Sequence, residues 1–124
     1  MIIKSEKDVR AAIKRIMKGP VFWVEAAAGG TRGFPDCVVA QHGFPVFCEL
    51  KVGVMKKDHL SFTVRPAQRK VLLSMAKAGF KVRVMVGLKG ASVIYDFAAV
   101  PLTLSGRVPI GLCISAGIYL SQER

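Results

Sequence analysis

Two short apolar segments, at residues 37–40 and 46–50, flank the dipeptide His42-Gly43, and this pattern predicts a β-hairpin. Glycine permits the positive φ that a two-residue primed turn requires, and histidine tolerates it better than most side chains. The turn also sets the register, because each residue before it pairs with one residue after it. The hairpin therefore brings the residues just before position 37 next to those just after position 48.

The residues that meet at the open end of this hairpin are charged. The predicted register pairs Gln41 with Phe44 and brings Asp36 opposite Glu49 on one face of the sheet, and Lys51 projects to the same face. Two facing carboxylates repel each other unless a positive charge lies between them, and hard divalent cations bind carboxylate oxygens. The pattern favours a metal site. The alternative is a salt bridge from Lys51 to either carboxylate on a solvated face.

These residues resemble the motif of the PD-(D/E)XK nucleases, with Pro35-Asp36, a gap the length of a strand, and then Glu49-Leu50-Lys51. The preceding phrase Gly-Gly-Thr-Arg-Gly-Phe, together with Gln68 near the start of a later helix, is similar to the VRR-NUC branch of that superfamily. The resemblance covers roughly residues 5 to 87. It implies an α/β fold with a restriction-endonuclease-like core, in which a mixed central β-sheet is flanked by helices in the order α-β-β-β-α-β.

The resemblance also implies a reaction, the metal-dependent hydrolysis of phosphodiester bonds in DNA. Asp36, Glu49 and the carbonyl of Leu50 would bind Mg²⁺ or Mn²⁺, and Lys51 would orient the attacking water or help to deprotonate it. Small stand-alone members of the VRR-NUC branch resemble junction resolvases, so we expect a homodimer that cuts branched DNA such as four-way (Holliday) junctions. The alternatives are a nuclease without junction specificity and a basic DNA-binding module without catalysis.

The first predicted helix follows Ser5, which forms an N-cap signal with Asp8 three residues later, and it ends at Gly19-Pro20. Glu6 lies in the first turn of this helix, where an acidic side chain commonly complements the helix dipole. The resemblance implies a different role for Glu6, as an acidic residue of the first helix that joins the metal site.

A second helix is predicted from Pro66 to Gly79, since proline suits a first helical turn and glycine a C-terminal cap. Gln68 is either a partly exposed residue of its first turn or, as the resemblance implies, a catalytic-site residue that points back to the sheet. Strands are expected at residues 21–24, 81–87 and 91–95, a glycine-rich loop at 26–33, and no particular structure beyond residue 97.

The charge of the chain indicates an anionic partner. Lysine and arginine number 19 against 8 aspartate and glutamate, and the net charge of +11 exceeds what a small domain needs for solubility. We expect nucleic acid ahead of a membrane surface, with residues 52–65 forming a mobile basic loop over the site entrance. His59 in that loop is read as a solvated residue rather than a general base. The expected phosphate contacts are Arg32, Lys56, Lys57, Arg65, Arg69 and Lys70.

At 124 residues, of which 52% are hydrophobic, the chain is expected to form one domain. Its three cysteines, at positions 37, 48 and 113, form no pattern typical of zinc sites and suit small core residues better than a disulfide. The uncharged segment 108–122 is too short for a confident membrane span, and the amino terminus lacks the apolar run of a signal peptide. We therefore expect a cytoplasmic protein. Few aromatic side chains are expected to be free to stack on bases, which argues against a specialist for single strands.

Overall fold

The computed structural model describes residues 1–17, 19–24 and 32–120. Its elements, in chain order, are α1 (Glu6–Ile16), β1 (Val21–Trp23), β2 (Cys37–Gln41), β3 (Phe44–Lys56), β4 (His59–Ser61), α2 (Pro66–Lys77), β5 (Lys81–Leu88), β6 (Val93–Ala98), α3 (Pro101–Leu104), β7 (Arg107–Pro109), α4 (Ile110–Ala116) and β8 (Gly117–Tyr119). Of the predicted glycine-rich loop at 26–33, all but Arg32 and Gly33 lies outside the described residues.

The strands form a mixed sheet in the order β1-β2-β3-β5-β6-β8. Strands β3 and β5 run parallel, as expected for strands joined through a helix, and the other neighbours run antiparallel. Strand β4 pairs with the far end of β3 and with β7, outside this main path. The predicted mixed sheet with flanking helices is confirmed. The predicted order α-β-β-β-α-β differs from the observed one by one strand, because β4 lies between β3 and α2.

The β2–β3 hairpin has the predicted turn and register. His42 and Gly43 adopt φ values of 50° and 81°, which is the left-handed pair of a primed turn. Gln41 pairs with Phe44 next to the turn, and the pairing continues to the cross-strand pair Cys37 and Cys48. Both cysteines are fully buried and form no disulfide. Strand β3 is longer than predicted and continues far beyond the hairpin.

The sheet is covered on both faces. Helix α1 packs Val9 and Ile13 against one face, in a core layer that includes Leu50 of β3. Helix α2 packs Leu72 against the other face, in a layer that includes Val84 of β5 and side chains of α3 and α4. The side chains of β3 alternate between these layers, so Leu50 faces α1, whereas Glu49 and Lys51 face α2.

The prediction of a mobile basic loop at residues 52–65 is wrong. Strand β3 runs through Lys56, and β4 returns alongside it after a two-residue turn. Leu60, Phe62 and Val64 alternate with polar residues and are buried, which is the period of a strand with one covered face. The partner that completes this second sheet, β7, lies in the tail, for which the sequence predicted no structure. Within the described residues no helix is both long and apolar enough to cross a membrane.

Candidate active site

Asp36, which directly precedes β2, is hydrogen-bonded to a neighbouring chain segment on each side. Its backbone carbonyl accepts the amide N–H of Val24 at 2.9 Å, and its side-chain Oδ2 accepts the amide N–H of Leu50 at 2.8 Å. The N–H and C=O of one strand residue point to the same side of the strand. The carbonyl of Leu50 is therefore directed toward Asp36, as a backbone ligand beside this carboxylate would require.

Glu49 is a buried carboxylate, with 3% of its surface exposed. Its Oε2 accepts a hydrogen bond from Nε2 of Gln68 at 3.0 Å and lies 3.5 Å from Nζ of Lys51. Its other oxygen, Oε1, is buried and has no hydrogen-bond partner among the described residues. Buried polar atoms are almost always paired, so an unpartnered carboxylate oxygen indicates a position where a ligand binds.

Gln68 connects the two charged residues of β3. It lies in the first turn of α2, and its Oε1 accepts hydrogen bonds from Nζ of Lys51 at 2.7 Å and from the backbone N–H of Arg65 at 3.1 Å. Together with the bond from its Nε2 to Glu49, this arrangement fixes the orientation of the amide. The side chain thus points back to the sheet, which is the alternative that the resemblance implied, and it holds the Lys51 ammonium beside the carboxylate.

The pKa of Glu49 is raised to about 8, first by burial, which disfavours the charged form, and then by the neighbouring charge of Asp36. Lys51 acts in the opposite direction but does not compensate for these two effects. Glu6 also raises the pKa of Glu49, so the first turn of α1 contributes its negative charge to the field at the site. Without a cation, Glu49 therefore holds a proton at neutral pH.

The donor set fits a hard divalent cation. It combines two carboxylates, Asp36 and Glu49, with a backbone carbonyl, that of Leu50, and oxygen is the donor that Mg²⁺ and Mn²⁺ prefer. Among the described residues no group of three or more His, Cys, Asp or Glu side chains is arranged to hold a metal ion. The candidate ligands are accordingly a carboxylate pair and a carbonyl. Glu6 is exposed, and its predicted role as a ligand stays a prediction.

Most of the predicted phosphate contacts lie on the surface. Lys56 and Lys57 are exposed at the tip of the β3–β4 hairpin, and Arg32, Arg65 and Lys70 are exposed near or in the first turns of α2. Arg69 is the exception. Its Nε donates to the carbonyl of Leu104 at 3.0 Å, and the side chain is half-buried, so part of this guanidinium ties α2 to α3.

His59 is not the solvated loop residue that the sequence predicted. It begins β4 and is half-buried, with Nδ1 2.8 Å from Oδ1 of the exposed Asp58. The interaction with this imidazole lowers the pKa of Asp58. His59 is thus paired at the tip of the hairpin, on a strand separate from the carboxylates.

The expectation of few free aromatic rings is also wrong. Four phenylalanines expose more than a third of their surface, namely Phe22, Phe34, Phe44 and Phe80. One of them, Phe34, directly precedes Pro35-Asp36, so its place beside the carboxylates was readable in the sequence. Its exposure was not, because it depends on how much of the sheet α2 covers.

Comparisons with known proteins agree with this fold. The chain is similar to the structure of Hjc, a Holliday junction resolvase from the archaeal hyperthermophile Archaeoglobus fulgidus, with a TM-score of 0.56 and 18% sequence identity over 92% of each chain. No protein-family model matches the sequence, and a search of the curated proteins finds no match. At 18% identity the likeness shows a shared fold, and the chain has the mixed α/β architecture of that resolvase.

Proposed function

We propose that the protein is a divalent-metal-dependent endonuclease that hydrolyses phosphodiester bonds of DNA at the open end of the β2–β3 hairpin. The observation that carries this proposal is the buried Glu49, which has one oxygen held by Gln68, the other without a partner among the described residues, and Asp36 as a neighbouring charge. A buried carboxyl group kept only for stability would have both oxygens hydrogen-bonded, since an unpaired buried polar atom is costly. The fold shared with a Holliday junction resolvase supports the same proposal.

The chemistry supplied by bound Mg²⁺ or Mn²⁺ is polarisation of the scissile phosphate and acidification of a water. Asp36, Glu49 and the Leu50 carbonyl would hold the cation in this proposal, and Glu49 would have to release its proton to serve as a ligand. Lys51 donates a hydrogen bond from Nζ to the attacking water or to a phosphate oxygen, where negative charge develops. Gln68 is a positioning residue, because it aims that Nζ through a 2.7 Å hydrogen bond.

The finer features of the proposal concern the substrate and the assembly. We infer that the enzyme belongs to the VRR-NUC branch and acts on branched DNA such as four-way junctions, as the sequence resemblance implies. A two-fold homodimer would present two sites for paired cuts. The apolar side chains exposed on α4 and β8 favour self-association, since no charged residue lies between positions 108 and 120. The exposed apolar side chains are those of Ile110, Leu112, Ile114 and Tyr119.

The proposed function is tested by offering labelled DNA to the purified protein. A four-way junction, a linear duplex of matched sequence and a single strand are each incubated with Mg²⁺, Mn²⁺ or EDTA. Wild type is compared with Asp36→Asn, which removes one ligand charge at constant size. The control is Asp96→Asn, a partly exposed carboxylate that pairs with Arg83 on β5.

Metal-dependent paired nicks in the junction, lost in Asp36→Asn and kept in Asp96→Asn, are the expected result. Cutting of all three substrates would retain the nuclease and remove the junction specificity. Binding of DNA without any cutting, with either metal, would refute catalysis and leave a DNA-binding module.

A further inference from the structure

Phe34 lies beside the candidate carboxylates, and its ring is partly exposed to solvent. It lies two residues before Asp36, so their Cα atoms are at most about 7 Å apart. It exposes 39% of its surface, whereas the core residues Phe62 and Phe97 expose 7% and 5%. Phe34 is therefore not a core residue that happens to lie near the site.

The ring is supported from behind. It meets the ring of Phe47 edge-to-face, with centroids 5.9 Å apart. Its backbone is held against α2 as well, because Gly33 adopts a φ of +84° and a Cβ there would lie 2.5 Å from the carbonyl oxygen of Ala67. On the other side, Asp36 is anchored by the amide of Leu50. The open part of the ring thus has a fixed position relative to the carboxylates.

We propose that Phe34 forms a base-stacking subsite, on which an unstacked nucleobase of the DNA substrate lies beside the phosphate held at Asp36 and Glu49. The proposal rests on the proposed function and deepens it. Every nucleobase has a π-face, so an aromatic platform binds any base without reading the sequence. The exposed cations Arg32 and Arg65, which directly precede Gly33 and helix α2 respectively, provide positive charge for the neighbouring phosphates.

The chemistry of this platform favours DNA in which a base is easily unstacked. A base inside a continuous duplex must be unstacked from both neighbours, which costs free energy, whereas a base at a branch point or a frayed end has lost part of its stacking and costs less. The subsite would therefore contribute to a preference for branched over linear duplex DNA. It supplies this preference without any hydrogen bond to a base.

The test is a cycle that combines protein variants with substrate variants. Phe34→Leu removes the ring and keeps an apolar side chain, and Phe34→Trp restores an aromatic face. The matched control is Phe80→Leu. Phe80 is 50% exposed and also packs edge-to-face against Phe47, with centroids 5.5 Å apart, but it is remote in sequence from the carboxylates. The substrates are intact junctions and junctions with a single abasic nucleotide placed at successive positions around the cut, and both kcat/KM and Kd without metal are measured.

Phe34→Leu should lower kcat/KM and weaken binding of intact DNA by roughly 5- to 100-fold. The abasic substitution at one position should cost wild type a similar factor and cost Phe34→Leu nothing further, while Phe34→Trp and Phe80→Leu behave like wild type. If Phe34→Leu loses the same factor on every substrate, abasic or intact, its role is structural and the subsite is refuted.

The two proposals fail in distinguishable ways. If wild type binds DNA but cuts none with either metal, the proposed catalysis fails, and the cycle on Kd alone still decides the subsite. If wild type cuts intact DNA but the cycle shows no coupling, the nuclease stands and the subsite fails. If wild type binds no DNA, both are overturned.

Discussion

At the scale of single residues, the site depends on a carboxylate kept in an unfavourable environment. Glu49 is buried beside a second carboxylate, and its pKa rises to about 8 although Lys51 lies 3.5 Å away. One ammonium group does not offset both the loss of hydration and the charge of Asp36. In the proposed site a divalent cation, which carries twice that charge, would favour the ionised form of Glu49 that the free protein disfavours.

This environment predicts a pH-dependent stability. An unfolded glutamate has a pKa near 4.3, so between that value and about pH 8 the native state holds a proton that the unfolded state has released. The free energy of unfolding should therefore fall as pH rises through this window, by at most about 1.4 kcal/mol per pH unit. Glu49→Gln, which cannot ionise, should remove this slope. Urea unfolding in EDTA from about pH 6 to about pH 8 measures both slopes.

Adding Mn²⁺ provides the control. At about pH 8 it should stabilise wild type, because binding to the native state alone shifts the unfolding equilibrium, and it should stabilise Glu49→Gln much less. Equal pH slopes in the two proteins would contradict the assigned protonation of Glu49. An equal effect of Mn²⁺ on wild type and on Glu49→Gln would show that the cation does not bind this carboxylate.

At the scale of elements, local signals were sufficient where the partner lies nearby in the sequence. The His42-Gly43 turn determines the β2–β3 register, and that register is enough to predict Asp36 beside Glu49. The cap signals around Ser5 and Pro66 gave the starts of both main helices. In each case the interactions that decide the conformation lie within a few residues of each other.

Strand β4 is not predictable from local signals, because its neighbour β7 is far away in the sequence. The alternation of Leu60, Phe62 and Val64 with polar residues has the period of a strand, but the cluster of basic residues before it is typical of a solvated loop. Only the pairing of β4 with β7, from residues 107–109, closes the second sheet. The solvent exposure of a side chain also depends on distant parts of the chain, so the sequence alone does not show that the ring of Phe34 is exposed.

The β3–β4 hairpin makes a prediction of its own about DNA binding. Lys56 and Lys57 lie exposed at its tip, so replacing both by alanine should weaken DNA binding and reduce the slope of log K against log salt by roughly 2, since each phosphate contact contributes about 0.9. Lys14→Ala combined with Lys77→Ala is the matched control. It removes the same charge from the last turns of α1 and α2, while the first turns of these helices lie toward the site.

Fluorescence anisotropy with a labelled junction, titrated over a range of salt concentrations, gives the slopes. The hairpin variant and the helix-end variant carry equal net charge, so a difference between them reports position rather than total charge. Identical slopes in the two variants would show that the hairpin tip makes no phosphate contact.

At the scale of the whole molecule, one surface segment is free of charge although the chain is strongly basic. The net charge of +11 opposes the approach of two copies, yet residues 108–120 carry no charge at all. This segment contains α4 and β8, where Ile114 and Tyr119 expose 78% and 79% of their surface. Strand β8 also lies at the end of the sheet, and an uncharged edge strand is able to pair with another chain. The net positive charge of the chain therefore opposes the approach of a second copy, whereas this uncharged segment permits it.

This uncharged segment predicts a dimer whose response to salt is opposite to that of DNA binding. Two copies that each carry a net charge of +11 repel each other, so salt should screen their repulsion and strengthen self-association, whereas it weakens phosphate contacts. Sedimentation equilibrium should give twice the chain mass of 13.4 kDa for wild type. Ile114→Asp should give the single-chain mass, because a carboxylate would then be buried at the apolar interface. Phe44→Asp, which places the same charge at another exposed apolar position, should leave the dimer intact.

If both variants remain dimeric, the interface lies elsewhere. If wild type is monomeric at every salt concentration, each molecule carries one site, and the paired cuts expected on a four-way junction would require two independent binding events.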